Sequence, residues 1–411
     1  MKKLFSGVFA FSMALLPLTA LGKKQVDDSM NPLITAMPSL SIAPDAHAGG
    51  LGDVGAATTP DINSQHWNPA KYAFMESHGG ISASYTPWLT AIVRDINLAY
   101  VTGYYKWDDL QGISASLTYF GLGEVQLTDY NGLNGMTAKP NEFAIDVAYS
   151  RKLHEYVSMA VALRFLYSDM HAPSTGGTPD MYPGMTGAAD VALYYRQPIQ
   201  LGMGMSYFGL GLNISNLGGK ISYDKGNTSN FIPANIRLGL SYELPFDDYN
   251  RLSFNADFNK MLVPSRKSKF AVDENGDPLT GQALTDWYTK MSSVQGWFRS
   301  FADAPGYSYT DEKTGNIKTV SPALEELQEI QFGVGVEYSY NRQFFARVGY
   351  SHENMFKGNR RYVTFGAGFK LSIFSLDAGY VLATSASNPL NNTFRVTLGF
   401  DLAGIKDLIK N

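Results

Sequence analysis

From about residue 80 onward, apolar and polar residues alternate along the chain. The alternation is clearest in the segments 157–167, 252–259, 332–340 and 394–401, where Val, Leu, Phe or Tyr occupies every second position. Because successive side chains of a strand point to opposite faces, each segment predicts a β-strand with one apolar and one polar face. These segments run roughly 9 to 14 residues, the length at which tilted strands cross a bilayer, whereas strands of a soluble sandwich average about 5 to 6.

The lengths of the connections distinguish a transmembrane barrel from a soluble sandwich. Odd-numbered strands are followed by longer connections and even-numbered strands by mostly tight ones, as in a barrel with external loops and short periplasmic turns. The pattern therefore predicts an all-β fold, a transmembrane antiparallel barrel of about 14 strands over residues 80–402 in the outer membrane. The predicted strands begin near residues 80, 94, 110, 142, 155, 186, 199, 235, 251, 328, 343, 361, 372 and 392.

The chain before and after the predicted barrel does not alternate. Lys2 and Lys3 precede an apolar run that ends in small residues, which predicts a cleaved signal peptide over 1–22. Residues 23–79 are interpreted as a periplasmic N-terminus followed by a plug, and residues 403–411 as a periplasmic tail.

The predicted plug, or hatch, is rich in small residues that allow close packing against a barrel wall. Asn68 before a proline predicts a helix cap with proline in the first turn. The spacing of three of its glycines also matches a dinucleotide-binding fingerprint, but no strand and βαβ unit accompany it, so tight packing is the preferred interpretation. The candidate plug residues are Gly49, Gly50, Gly52, Gly55, Trp67, Asn68 and Pro69.

The composition and motifs of the chain argue against a catalytic, cofactor-binding or metal-binding site. The 411 residues contain no Cys, only 17% are charged, and the formal net charge of −4 gives no bias toward nucleic acid. None of the six His has the spacing of a metal site, and no nucleophile elbow is present. We therefore predict no catalytic, cofactor-binding or metal-binding residue. Charges on the polar strand faces are expected to pair with one another or to hold the plug: Arg164, Arg237, Glu243, Asp257, Glu337, Arg347, Asp377 and Arg395.

The connection 264–327 is far longer than the others, and long loops are usually functional. Helical spacing of apolar residues predicts one helix over 282–301, and Ser321 before a proline predicts a second short helix. The first helix is interpreted as a lid over the barrel mouth, as a partner interface, or as both. The candidate interface residues are Trp287, Tyr288, Met291, Trp297, Phe298 and Phe301.

An acidic run in this connection, 273–277, has two interpretations. It has some of the carboxylates of a calcium loop but lacks the closing glutamate, since Leu284 stands there. The dipeptide Asn275-Gly276 fits a type I′ hairpin turn better.

Five segments of the chain have a specific sequence pattern: Ile42–Ala46, Ala48–Asp53, Asn63–Tyr72, Ser84–Leu89 and Asp95–Tyr100. Together they resemble the PorV family of the Bacteroidetes type IX secretion system. The resemblance extends over nearly the whole mature chain. Two features depart from the family pattern: His47 stands where an arginine is expected, and about eleven residues follow Phe400, where a barrel would end on an aromatic residue.

The resemblance implies a FadL-like fold of fourteen strands with an N-terminal hatch and a role without catalysis. The implied partners are the type IX translocon barrel, the C-terminal domains of secreted cargo, the sortase attachment complex and outer-membrane lipid. Two alternatives remain at this point. A FadL-like channel for hydrophobic small molecules would need an apolar pocket in the lumen, and a lipid A deacylase would need a Ser–His pair at the outer rim.

Overall fold

The computed structural model describes residues 30–89, 95–128, 134–171, 181–202, 204–311, 314–384 and 390–402. The predicted signal peptide and the tail 403–411 lie outside these residues. Within them, no helix has both the length and the apolar composition to span a membrane. The strands are β1 Gly79–Pro87, β2 Asn97–Lys106, β3 Gln111–Gly121, β4 Val125–Thr128, β5 Asn134–Ala138, β6 Asn141–His154, β7 Val157–Asp169, β8 Gly184–Leu201, β9 Gly204–Gly218, β10 Asn235–Pro245, β11 Asn250–Met261, β12 Tyr307–Thr310, β13 Ile317–Val320, β14 Gln331–Tyr340, β15 Phe344–His352, β16 Arg361–Lys370, β17 Phe374–Ala383 and β18 Thr393–Asp401.

In the described residues, fourteen of these strands close into an antiparallel barrel, as the alternation predicts. Each barrel strand pairs with its neighbour along the chain, and β1 closes the ring by pairing with β18, from Gly80 opposite Asp401 to Tyr85 opposite Val396. Closure leaves no open sheet edge, which is the condition for a sheet in lipid. The two remaining pairs, β4 with β5 and β12 with β13, form small hairpins outside the ring.

The two faces of the wall follow the alternation of the sequence. Across β6 and β7, Asp146 lies opposite Arg164 and both are buried, whereas the next pair, Val147 and Leu163, is exposed on the outside. The same parity around the ring produces an outward band of aliphatic and aromatic side chains. A water-soluble protein would not expose such a band, whereas the hydrocarbon core of a bilayer covers it.

Short and long connections lie at opposite ends of the barrel. The strands β6 and β7 are separated by two residues and β14 and β15 by three, whereas β11 and β14 are separated by residues 262–330, which we call the large loop. We call the two ends the turn end and the loop end. In outer-membrane barrels the short turns face the periplasm and the long loops face outward.

Over residues 282–301 of the large loop, where the sequence predicts one helix, the structure has two. Helices α3 (Gly281–Lys290) and α4 (Ser293–Arg299) are separated at Met291, whose backbone is extended. The prediction of a single helix over 282–301 is wrong because Ser292 forms a capping box with Gln295 and starts a new helix there. The predicted short helix is confirmed as α5 (Pro322–Gln328), with the Ser321 side chain as its N-cap.

The acidic run of the large loop forms a turn, although not the predicted type. Val272 pairs with Pro278, and the Asp273 side chain accepts hydrogen bonds from the backbone N–H groups of Asn275 and Asp277. Gly276 has a φ of 89°, but Asn275 is not among the residues with positive φ, so the turn is not type I′. The turn is stabilised instead by the Asp273 carboxylate, which accepts hydrogen bonds from backbone N–H groups within the turn.

Residues 30–78, which we call the lumen segment, run inside the ring of strands from the loop end to the turn end. Its helical parts are two 3₁₀ helices, Pro38–Ser41 and Pro69–Phe74, and two single-turn helices, α1 (Ala46–Gly49) and α2 (Ser64–Trp67). At its far end, the backbone N–H of Lys106 in β2 donates to the carbonyl of His78.

The described start of the lumen segment lies at the loop end. Asn31 donates through its backbone N–H to the carbonyl of Phe356, and its side chain reaches Glu325 in α5; both partners belong to the loop end. Further along, Met37 and Leu40 enter an apolar cluster with Leu166 and Ile221. Burial of these apolar side chains holds residues 31–40 at the loop end.

Candidate functional site

The lumen segment approaches the wall so closely that only glycine fits at several points. A Cβ on Gly349 of β15 would clash with the backbone of Leu51 and Gly52, and one on Gly335 of β14 would clash with Leu51. On β9, Gly211 faces the carbonyl of Ala56 in the same way. Small residues on both the lumen segment and the inner wall therefore allow the two backbones to approach closely.

Polar side chains of the strands bind the backbone of the lumen segment. Asp257 of β11 accepts from the N–H groups of Gly55 and Ala56 at 2.9 and 3.0 Å. Thr364 of β16 accepts from the N–H of Gly52 at 2.8 Å and donates to the carbonyl of Gly50 at 3.0 Å. These bonds satisfy backbone groups in a short segment that has little secondary structure of its own, where an unpaired buried N–H would be costly.

The lumen segment is also tied to itself. Asp45 caps α1 by accepting from the N–H of Ala48, and its second oxygen accepts from the indole N–H of Trp67 at 2.6 Å. The Trp67 ring packs on Gly55, where a Cβ would clash with it. Asn68 caps the following 3₁₀ helix as predicted, and its amide donates to the carbonyl of Leu193 in the wall.

The predicted pairing of lumen charges is confirmed. Arg164 lies 2.9 Å from Asp190, and Arg347 bridges Glu337 and Asp377 at 2.5 and 2.6 Å. The remaining predicted charges form the pairs Arg251–Glu243, Arg237–Asp257 and Arg395–Asp53, the last of which joins the wall to the lumen segment.

His47, which departs from the family pattern, lies between two carboxylates. Its Nδ1 is 2.6 Å from Asp61 in the lumen segment, and its Nε2 is 3.2 Å from Glu337 in β14. His47 therefore links the lumen segment to the wall, a contact that the longer side chain of an arginine could also make.

A cavity of about 470 Å³ lies at the turn end beneath the lumen segment. Its lining includes Arg196, Glu243, Arg251, Glu337 and Asp377, together with aromatic residues at the barrel end. Charged and apolar side chains line the cavity together, so it is not the mostly apolar pocket that a hydrocarbon ligand needs.

The six candidate interface residues of the large loop do not share one surface. Tyr288 and Met291 are buried against Phe231 and Val263 at the barrel mouth, and the Tyr288 hydroxyl donates to the carbonyl of Pro264. Trp287 packs beside them and Trp297 is half-buried. By contrast, Phe298 is 76% exposed and Phe301 52% exposed. Helix α3 is therefore docked on the barrel, whereas Phe298 at the end of α4 and Phe301 just after it face solvent.

Lys220, which the sequence did not single out, fastens α3 to the barrel. Its ammonium donates to the carbonyls of Tyr288, Thr289 and Met291 at 2.6, 3.0 and 3.1 Å. It thus caps the last turn of α3, where carbonyls lack helical partners and a cation is favoured. No local sequence signal identifies such a cap, because the lysine lies about seventy positions before the helix end.

Substituting Lys220 with methionine is expected to loosen the large loop. The change leaves three helix-end carbonyls without their charged donor, and hydrogen bonds to charged groups contribute about 1.5–3 kcal/mol. Limited proteolysis should cut the variant faster between residues 262 and 330 while the barrel stays folded. Lys225→Met, at an exposed position in the same β9–β10 connection as Lys220, is the matched control. Equal cleavage of both variants would contradict the capping role.

Comparisons with known proteins bear on identity. A family model described as type IX secretion system protein PorV matches residues 24–268, more than half of the chain. No curated protein matches this chain in sequence. Among solved structures, the chain is similar to the Pseudomonas putida toluene transporter TodX, with 9% identity, 87% of this chain and 97% of that chain covered, and a TM-score of 0.49. It is also similar to the Ralstonia pickettii toluene transporter TbuX, with 11% identity, 87% and 96% covered, and a TM-score of 0.44. A Pseudomonas aeruginosa FadL homologue has 12% identity, 90% and 99% covered, and a TM-score of 0.42.

Proposed function

The chain belongs to the PorV family of type IX secretion system proteins, and from this membership we propose that it is a cargo shuttle without catalytic activity. It is an outer-membrane component of protein secretion. In the proposed role, it binds the C-terminal targeting domain of cargo that leaves the translocon barrel. It then delivers the cargo to the sortase complex that attaches it to the cell surface.

The packing of the lumen supports a role in which the barrel does not conduct. The lumen segment contacts β16, β17 and β18 on one side and β3, β6, β7 and β8 on the other. Its backbone is hydrogen-bonded to wall residues such as Asp257 and Thr364. We propose that this segment is a plug and that function resides in the surface at the loop end.

The observation that carries the proposal is the exposed aromatic surface at the C-terminal end of α4 and in the residues that follow it. Phe298 is 76% exposed and Phe301 52% exposed at the loop end, away from the lipid-facing band. Phe298 belongs to the last turn of α4, and Phe301 lies two residues beyond the helix end at Arg299. Exposed aromatic residues on an otherwise docked element favour a protein partner, because burying them against another surface releases free energy.

The double substitution Phe298→Ser with Phe301→Ser is expected to reduce recovery of cargo with the protein by tenfold or more. Each aromatic anchor of an interface typically contributes about 2 kcal/mol, and both side chains are solvent-facing, so folding should be unaffected. The measurement is quantitative mass spectrometry of proteins that co-purify from mildly solubilised outer membranes. Leu110→Ser, which changes an exposed apolar residue at the turn end, is the control.

The same purification tests the function itself. The wild-type protein should bring down a giant barrel protein and secreted proteins that share a C-terminal domain. A barrel recovered alone with bound fatty acid or another hydrophobic molecule would instead favour the channel. The charged lining of the turn-end cavity argues against that outcome.

A further inference from the structure

Four carboxylates and two lysines meet where the large loop joins the barrel. The acidic residues come from the chain after α4 and from α5 and its C-terminal end, and the lysines come from β11 and the β15–β16 connection. The members of this acidic cluster are Asp303, Glu325, Glu326, Glu329, Lys260 and Lys357.

The two lysines neutralise only part of the cluster. Lys260 lies 2.7 Å from Glu329 and 3.3 Å from Glu326, and Lys357 lies 2.9 Å from Glu329 and 2.6 Å from Glu325. Two cations therefore face four carboxylates. Among the described residues, no ion pair joins either lysine to Asp303.

Asp303 is fully buried and incompletely satisfied. Its Oδ2 accepts from the backbone N–H of Ser265 at 2.7 Å, whereas its Oδ1 has no hydrogen-bond partner among the described residues. One carboxylate oxygen each of Asp303, Glu326 and Glu329 lies within 4.8 Å of the other two. A buried, unpaired carboxylate oxygen beside two further carboxylates is costly unless a proton or a cation neutralises the charge, and the three converging oxygens provide a place for a cation.

We propose that Asp303, Glu326 and Glu329 bind a divalent cation, Ca²⁺, at the base of the large loop. Three carboxylates converging from two segments of the large loop provide hard oxygen ligands, and water completes the larger and less regular coordination shell that Ca²⁺ accepts. Mg²⁺ fits less well because it requires near-ideal octahedral geometry. The loop end faces the exterior, where binding sites with dissociation constants of about 0.1–1 mM are useful.

The cation would fasten the large loop to the barrel. Asp303 follows α4, Glu326 belongs to α5, and Lys260, which contacts both glutamates, belongs to β11. Binding therefore joins the two helical parts of the loop above a strand end. This inference stands on the cluster alone and does not depend on the identity of the cargo.

The test is calorimetric titration of the full-length protein, purified in detergent and stripped with a chelator, with CaCl₂ and separately with MgCl₂. We expect one Ca²⁺ per chain, weaker binding of Mg²⁺, and slower proteolysis of residues 262–330 when Ca²⁺ is present. Asp303→Asn should lower Ca²⁺ affinity at least tenfold, because it removes the charge and retains the shape. Asp286→Asn, at an exposed acidic position in α3, should bind Ca²⁺ as the wild type does.

Two results would overturn the site. One is the absence of saturable Ca²⁺ binding up to about 10 mM, well above the range of extracellular sites. The other is unchanged binding by Asp303→Asn. Glu326→Gln serves as a second variant if the first assembles poorly, and migration of the unheated barrel in detergent gels reports assembly for both.

Discussion

Replacing Gly349 by valine is expected to open the barrel to solutes while the barrel itself still assembles. The new side chain would occupy the space of the Leu51 and Gly52 backbone, which cannot move aside as a flexible side chain could. Overpacking of this kind costs about 1–3 kcal/mol, and the lumen segment can escape it only by leaving the wall. Strand pairing does not involve the inward side chain and is preserved.

Conductance of the purified protein in planar bilayers measures the opening, and sensitivity of cells to a large antibiotic provides a second readout. Gly211→Ala tests the other side of the lumen, where the added Cβ would meet the Ala56 carbonyl. The matched control is Gly187→Val, since a Cβ on Gly187 has its nearest neighbour at 3.8 Å. An assembled but closed Gly349→Val barrel would show that the lumen segment is not the seal.

Deleting residues 271–301 is expected to abolish export of cargo and to leave the barrel in the membrane. The deletion removes α3 and α4 with all six candidate interface residues. Its ends meet without strain because the N–H of Lys269 already donates to the carbonyl of Asp303 at 2.8 Å. Residues 270 and 302 can therefore form a tight turn. The barrel ladder and the lumen segment are retained.

The measurement is the amount of cargo at the cell surface and in the medium, compared with cargo held in the periplasm. The double serine variant of α4 is the finer comparison, because it keeps the loop and removes only its exposed aromatic surface. Normal export by a barrel that carries the deletion would show that α3 and α4 are not needed for the proposed function. Loss of export without loss of cargo binding would assign the loop to delivery instead.

The barrel could be predicted from the sequence because its determinants are local. Alternation with a period of two identifies each strand, and the parity of connection lengths identifies the two ends of the barrel. Caps are local as well, so the starts of α5 and of the 3₁₀ helix after Asn68 are predicted correctly. The break between α3 and α4 is missed because apolar spacing continues through Met291, while the capping box at Ser292 decides the geometry.

The amino-acid sequence by itself determined the fold class, the membrane-facing side of each strand and the presence of a close-packed segment before the barrel. Only the tertiary structure decided which side chains meet inside the barrel and at its loop end. Asp53 and Arg395 are separated by 342 positions, and Asn31 and Glu325 by 294. The path of residues 31–40 to the loop end, the Lys220 cap and the acidic cluster at Asp303 depend on such contacts. Strand periodicity is encoded in neighbouring residues, whereas these pairings arise only when closure of the ring brings distant segments together.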